Sequence, residues 1–193
     1  IGTTGSGKTT TLMLLSRTYD SSSGKILIDN DPIEKFDLEF LRRNIGVVPQ
    51  DSFLFSDSII NNIKFGNQKA TNLEIEKVCK IAGIHNEILK FDKKYDTILG
   101  ERGVNLSGGQ KQRVCIARAL IMKPKILVFD DCLSALDTET EEKIIRSLNN
   151  YINDTTTIIS SHRISSIQNL DQIIVLNEGK IIQKGTHDEL INK

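Results

Sequence analysis

Apolar positions along this chain alternate between two kinds of spacing. Short β-prone runs occur at Lys25-Ile26-Leu27-Ile28, Ile45-Gly46-Val47-Val48, Ile126 to Phe129, Thr157 to Ser160 and Ile173 to Leu176, and each predicts a strand. Between the first two, Asp37 predicts the N-cap of a helix through Leu41. Thr71-Asn72-Leu73-Glu74 has the capping-box pattern, and Ile75, Val78, Cys79 and Ala82 follow at helical spacing. The stretch from Asp51 to Lys123 reads as mostly helical. After Ile173 to Leu176, Asn177-Glu178-Gly179 predicts a turn into Lys180 to Gln183 and an antiparallel hairpin, with Thr186 capping a short terminal helix. Strands alternating with helices on both sides of a helical insert predict an α/β fold with a mostly parallel sheet and a helical lobe.

Bulk properties narrow the partners. At 193 residues the chain suits one α/β domain. Its 25 basic and 25 acidic side chains cancel, which argues against a nucleic-acid binder that relies on phosphate neutralisation. Cys79, Cys115 and Cys132 are odd in number and widely spaced, a pattern of reduced packing residues rather than a disulfide frame or zinc site. No apolar run reaches the ~18 residues that span a bilayer, and a soluble domain is expected. The chain opens at Ile1 directly before a glycine-rich loop, so a fragment of something longer, lacking its N-terminal strands, is expected.

Candidate chemistry begins at once. Gly2-Thr3-Thr4-Gly5-Ser6-Gly7-Lys8-Thr9 matches G-x-x-x-x-G-K-[ST], and Thr10 follows it. The glycines let backbone N–H groups curl around phosphate oxygens, Lys8 reaches the terminal phosphates and Thr9 can hold Mg²⁺. Alone, a strand-end aspartate such as Asp130 more often caps the next loop. Beside a triphosphate cradle it suits Mg²⁺, which needs a carboxylate while keeping several waters. Leu106-Ser107-Gly108-Gly109-Gln110 opens a helix continuing through Lys111 to Met122, and a serine hydroxyl with two glycine amides at that end forms a second anion site. One triphosphate does not need both, so the second predicts service to a nucleotide held by another copy or a partner.

These stretches, with Val48-Pro49-Gln50, Ser134-Ala135-Leu136-Asp137 and Ser161-His162-Arg163, occur in the order found in the nucleotide-binding domain of ATP-binding-cassette (ABC) transporters, and the chain resembles that family over nearly its whole length. The resemblance implies a P-loop NTPase fold: a RecA-like core from residues 1–50 and 123–193 and a helical subdomain from 51–122, all one ATPase domain. It implies ATP and Mg²⁺ as ligands, with Thr9, Gln50 and Asp130 at the metal. Gln50 is then the residue that touches Mg²⁺ or the attacking water, Asp137 a contact across a dimer, and His162 a switch histidine near the γ-phosphate. Thr97-Ile98-Leu99-Gly100-Glu101-Arg102-Gly103 and Phe53-Leu54-Phe55-Ser56 resemble the exporter branch, implying a transmembrane domain, a second nucleotide-binding domain and a place at the cytoplasmic face of the membrane. Soluble relatives of DNA repair usually separate the two glycine-rich motifs by a long coiled coil, and translation factors carry a charged linker; neither feature is present.

The family normally places a glutamate after the metal-binding acid, to polarise the attacking water. Asp131 stands there. One methylene fewer retracts the carboxylate by about 1.5 Å, and misplacement of that size can slow a general base about a hundredfold. With the other motifs intact, the expectation is one half of a heterodimeric exporter whose own site hydrolyses poorly; the alternative is a homodimer in which Asp131 works slowly.

Overall fold

The computed structural model describes residues 1–151 and 154–192. In chain order its elements are α1 (Lys8–Leu15), β1 (Leu27–Ile28), β2 (Asp31–Pro32), α2 (Leu38–Asn44), β3 (Ile45–Val48), α3 (Ile59–Lys64), α4 (Asn72–Ile81), α5 (His85–Ile88), α6 (Gly108–Leu120), β4 (Ile126–Asp130), α7 (Thr138–Tyr151), β5 (Thr156–Ser160), β6 (Ile173–Asn177), β7 (Lys180–Gly185) and α8 (His187–Ile191), joined by loops and short 3-10 turns.

The strand that organises the domain is β4. It lies between β3 and β5, parallel to both, with Ile45 opposite Ile126 and Phe129 opposite Ile159. Its side chains divide two apolar cores by simple alternation. Leu127 and Phe129 enter the larger one with Val114, Ile116 and Leu120 of α6, while Val128 packs with Leu12, Leu41 and Ile45 on the other face. A strand covered on both faces must be apolar throughout, which is why Ile126 to Phe129 reads as an unbroken run. Fully burying Phe129 stabilises the fold by about 1.5–3 kcal/mol.

Several boundaries differ from those expected. The Lys25 to Ile28 run forms only a two-residue strand, because Asp29 and Asn30 both take positive φ (50° and 69°) and turn the chain back antiparallel onto β2. The helix capped by Asp37, whose carboxylate accepts from the Phe40 N–H, continues beyond Leu41 to Asn44. The middle stretch is helical but in four separate pieces, α3 to α6. Of these, α4 starts at Thr71 with the expected capping box and buries Ile75, Val78 and Cys79. Helix α6 stops at Leu120 rather than Met122; beyond it Lys123 takes a φ of 51° and Pro124 cannot continue a helix. A further helix, α7, went unread in the sequence although Asp137 caps it and Ile144 and Leu148 line its buried face. All three cysteines are buried and free, as expected.

The hairpin of β6 and β7 turns through Glu178 and Gly179, both at positive φ. Residues 1 and 2 run alongside β6: the Leu176 N–H donates to the Ile1 carbonyl at 2.8 Å, and Gly2 bridges Leu176 in parallel. Among the described residues no helix is long and apolar enough to cross a membrane.

Candidate nucleotide site

Parallel strands deliver the residues that follow them to one edge, the usual place for a ligand in an α/β sheet. Gln50 lies two residues past β3, Asp131 one past β4, and His162 two past β5. Helix α1 begins against the same edge, where the Thr9 hydroxyl donates to Asp130 Oδ1 at 3.1 Å.

The loop before α1 depends on two glycines. A Cβ on Gly2 would sit 2.2 Å from the Leu176 carbonyl oxygen, so only glycine permits the approach to β6. Gly7, the N-cap of α1, takes φ 99°, a left-handed conformation that places the first helical N–H groups at the mouth of the loop. Lys8 folds back over this mouth, its Nζ donating to the carbonyls of Gly2 (2.8 Å) and Thr3 (2.9 Å). From behind, the Gly179 N–H donates to the Ser6 carbonyl at 3.0 Å, fixing the loop to the β6–β7 turn. Thr3, Thr4 and Gly5 remain exposed, and Thr10 lies exposed one residue beyond Thr9.

Asp131 has φ 46° and is held by its own N–H, which donates to the Ser160 carbonyl at 3.0 Å. Its Oδ2 accepts from Gln50 Nε2 at 3.4 Å and lies 3.6 Å from His162 Nε2. Its Oδ1 is buried without a hydrogen-bond partner. Gln50 and His162, both implied by the family resemblance, thus face the carboxylate of Asp131.

The donor set suits Mg²⁺. The Thr9 hydroxyl and the buried Asp130 carboxylate are hard oxygen ligands already in contact, and Mg²⁺ bound through one or two protein oxygens completes its shell with substrate phosphates and water. Among the described residues there is no group of three His, Cys, Asp or Glu side chains placed to hold a metal.

The second turn stands apart. The Ser107 hydroxyl caps α6 by accepting from the Gln110 N–H (3.2 Å), and Gln110 Oε1 accepts from the Ser107 N–H (2.9 Å). Among the described residues no hydrogen bond joins residues 107–110 to the phosphate loop. Gly109 faces the turn after β4, where an added Cβ would meet the Leu136 side chain at 3.4 Å, while one on Gly108 would meet nothing. The Gln110 side chain, expected at a phosphate, is committed to this cap and, through Nε2, to Glu87 at 2.8 Å. Asp137, expected at a dimer contact, accepts from the Thr140 N–H at 2.9 Å; that bond leads the causes lowering its pKa below the usual carboxylate value.

Sequence reasoning missed Arg163 and Glu141. Arg163 donates to the Ser134 and Leu136 carbonyls (2.9 and 3.1 Å) and to buried Glu141 (2.8 Å), fastening the loop of His162 to the turn that precedes α7. Only Arg163 being next to the histidine, and Glu141 four residues after a cap, hinted at them.

A glycine-rich cradle opening a helix beside a parallel strand that ends in acids defines a nucleoside-triphosphate-binding α/β domain. The family model described as ABC transporter matches residues 1–134, and the chain belongs to that family. It is 49% identical over all 193 residues to an ABC transporter ATP-binding protein of Bacillus subtilis, YfiB, and 46% identical over 192 residues to a mitochondrial iron-sulfur clusters transporter of Danio rerio. The chain spans 33% and 26% of those relatives' lengths. A solved bacterial Atm1-family ABC exporter with ATP bound superposes with a TM-score of 0.96 at 44% identity, over 99% of this chain and 34% of the exporter. The chain is therefore an ABC ATP-binding domain, an ATPase, with the fold seen in that exporter.

Proposed function

We propose that this domain is one of a pair of ATP-driven motors of an exporter, in which each ATP is held between the phosphate loop of one domain and the turn at Ser107 of the other. The observation that carries this reading is the separation of two glycine-rich turns within one chain, each opening a helix, with no hydrogen bond linking them among the described residues. Residues 1–50 and 123–193 act as the core and 51–122 as a helical subdomain that presents the second turn.

In this reading residues 2–10 enclose the phosphates, and Lys8 exchanges its loop carbonyls for the terminal phosphate oxygens. Thr9 and Asp130, with Gln50 nearby, would hold Mg²⁺, which when bound neutralises charge on the phosphate oxygens. Gln50 and His162 flank the line along which water attacks the γ-phosphate, and Asp131 is the base that polarises this water. Asp137 meets the other domain across the interface. Because Asp131 is short and already engages Gln50 and His162, its site retains ATP more than it turns it over. The competent glutamate then belongs to a different partner, making a heterodimer.

Export is supported by a groove of about 520 Å³ lined by Phe55, Asp57, Asn61 and Phe65. The segment resembling the exporter loop borders it: the Leu99 N–H donates to the Asp57 carbonyl at 3.0 Å, and Ser58 bridges Ile98. Two stretches with exporter character, some 40 residues apart in sequence, thus meet at one exposed aromatic surface where the intracellular ends of a transmembrane domain can seat. The relatives named for iron-sulfur cluster transport show what some members of the family carry; the cargo of this domain is set by its membrane helices.

Photolabelling with azido-ATP in the intact, tagged transporter tests the pairing. Lys8→Ala should remove label from this chain's own loop, whereas Ser107→Arg should remove it from the partner's loop and spare its own. Retention of the partner's label in Ser107→Arg would refute the shared-site reading.

A further inference from the structure

The turn at Ser107 is packed on one side only: Leu106 is buried and Gly109 lies against Leu136, whereas an added Cβ at Gly108 meets no atom within 4 Å. On the outward side the Ser107 hydroxyl and the glycine amides are set by polar tethers. The tethers converge on a residue outside the turn. Gln110 uses Oε1 to accept from the Ser107 N–H and Nε2 to donate to Glu87 Oε2 at 2.8 Å. Arg113 donates through Nε to the Gly109 carbonyl (3.1 Å), through Nη1 to the Gly83 carbonyl (2.8 Å), and through the same nitrogen to Glu87 Oε1. The two oxygens of one carboxylate therefore orient both side chains that grip the turn.

Glu87 is itself well anchored. It lies on α5, whose neighbouring Ile88 is fully buried and whose His85 Nδ1 is 2.9 Å from the Tyr95 hydroxyl. We propose that Glu87 is a positioning residue for nucleotide binding in trans: through Gln110 and Arg113 it fixes the direction in which Ser107, Gly108 and Gly109 are presented to the partner's nucleotide. The Gln110 N–H already occupies a lone pair of the Ser107 oxygen, so the hydroxyl proton is left to donate outward to an anionic oxygen. Neutralisation of Glu87 by Arg113 lets the carboxylate stand behind an anion site without repelling its ligand. Its pKa is lowered below the usual carboxylate value: burial pushes it up, and the bonds from Arg113 and Gln110 outweigh this.

This inference rests on the shared-site reading above, and the same labelling assay separates the two. In the intact transporter Glu87→Ala should weaken azido-ATP labelling of the partner's loop by about tenfold in apparent affinity, the scale on which outer-shell supports act. Labelling of its own loop should hold, while the melting temperature falls modestly because Arg113 loses its carboxylate partner. Steady-state ATPase should show a raised KM for ATP with kcat within about twofold, since a turn misaimed at rest is still captured at saturating ATP. Glu87→Gln, which still offers Gln110 an acceptor, should recover most of the affinity. If Ser107→Arg removes the partner's label and Glu87→Ala does not, the role of Glu87 is overturned while the shared site stands. If Ser107→Arg has no effect, the shared site itself fails. Equal loss of both labels with a lowered melting temperature would show Glu87 to be a general brace, which also overturns the proposal.

Discussion

Substituting Asp131→Glu perturbs the site at one atom's length. The Asp131 backbone is pinned, with its N–H on Ser160 and its carbonyl accepting from the Ser134 hydroxyl at 2.7 Å, so the direction of the side chain is set before its length matters. With the aspartate in place, Oδ2 lies 3.4 Å from Gln50 and 3.6 Å from His162. The Gln50 bond is at the long end of the hydrogen-bond range and His162 lies just beyond it, so the carboxylate sits back from the two side chains it faces. One more methylene advances it by about 1.5 Å, enough to bring the carboxylate level with these two side chains. Restoring alignment of that size is worth up to about a hundredfold in rate, or about 2.7 kcal/mol of barrier. A φ of 46° suits aspartate better than glutamate, so a stability loss of about 1 kcal/mol should accompany the gain. The assay is steady-state ATPase of the intact transporter, with KM for ATP unchanged. A rate equal to that of the parent, with the protein folded, would refute the shortened-base argument.

Three other outcomes follow from the structure. Arg163→Ala leaves the Glu141 charge, only 2% exposed, with the Ser166 hydroxyl but without a cation, and should lower stability by about 3 kcal/mol in chemical denaturation; Glu141→Gln in the same background should recover part of it, and an unmoved midpoint would show the pair to be idle. Glu74 is held down to about 2 from an ordinary 4.5, first by the hydrogen bond from Lys123 and then by those from Thr71. A depressed carboxylate stabilises fully above its unfolded pKa and loses that contribution as pH falls through its folded one, so circular dichroism should show acid loosening between pH 4.5 and 2 that is smaller in Glu74→Gln. Burial pushes the thiols of Cys79 and Cys132 up to about 12; iodoacetamide at pH near 8 should modify them only after unfolding, as mass spectrometry would detect.

Much of the site was legible because its chemistry is local. The phosphate loop is contiguous, the acids follow directly on an unbroken apolar strand, and the caps at Asp37, Thr71, Ser107 and Thr186 are each written within four residues. Unreadable parts were those whose partners are distant or whose geometry overrides propensity. Glu87 meets Gln110 across 23 positions and Glu141 meets Arg163 across 22, and neither pair leaves a period in the sequence. The hairpin at β1 and β2 carried a signal that the run Lys25 to Ile28 obscured, since Asp29-Asn30 is a pair that tolerates consecutive positive φ. Gln110 shows the complementary limit: its residue type suits a phosphate, and only the structure reveals both ends of its amide already engaged.

The turn between β4 and α7 draws these findings together. It starts at Asp131, the base proposed for the chain's own site. Its Ser134 and Leu136 carbonyls are gripped by Arg163, the residue after the histidine that also faces Asp131. Its Ala135 and Leu136 lie against Gly109 of the turn proposed to meet a partner's nucleotide. Seven residues thus touch the proposed base, the loop of His162 and the turn at Ser107, and closely packed contacts of this kind yield in discrete steps rather than by smooth deformation. A displacement of the histidine loop on loss of the γ-phosphate must therefore either break the Arg163 grip or move the surface beneath Gly109. The first alternative leaves the two sites independent; the second makes hydrolysis at one site loosen nucleotide at the other. Arg163→Ala decides between them, because cutting the grip removes communication between sites only if the second holds.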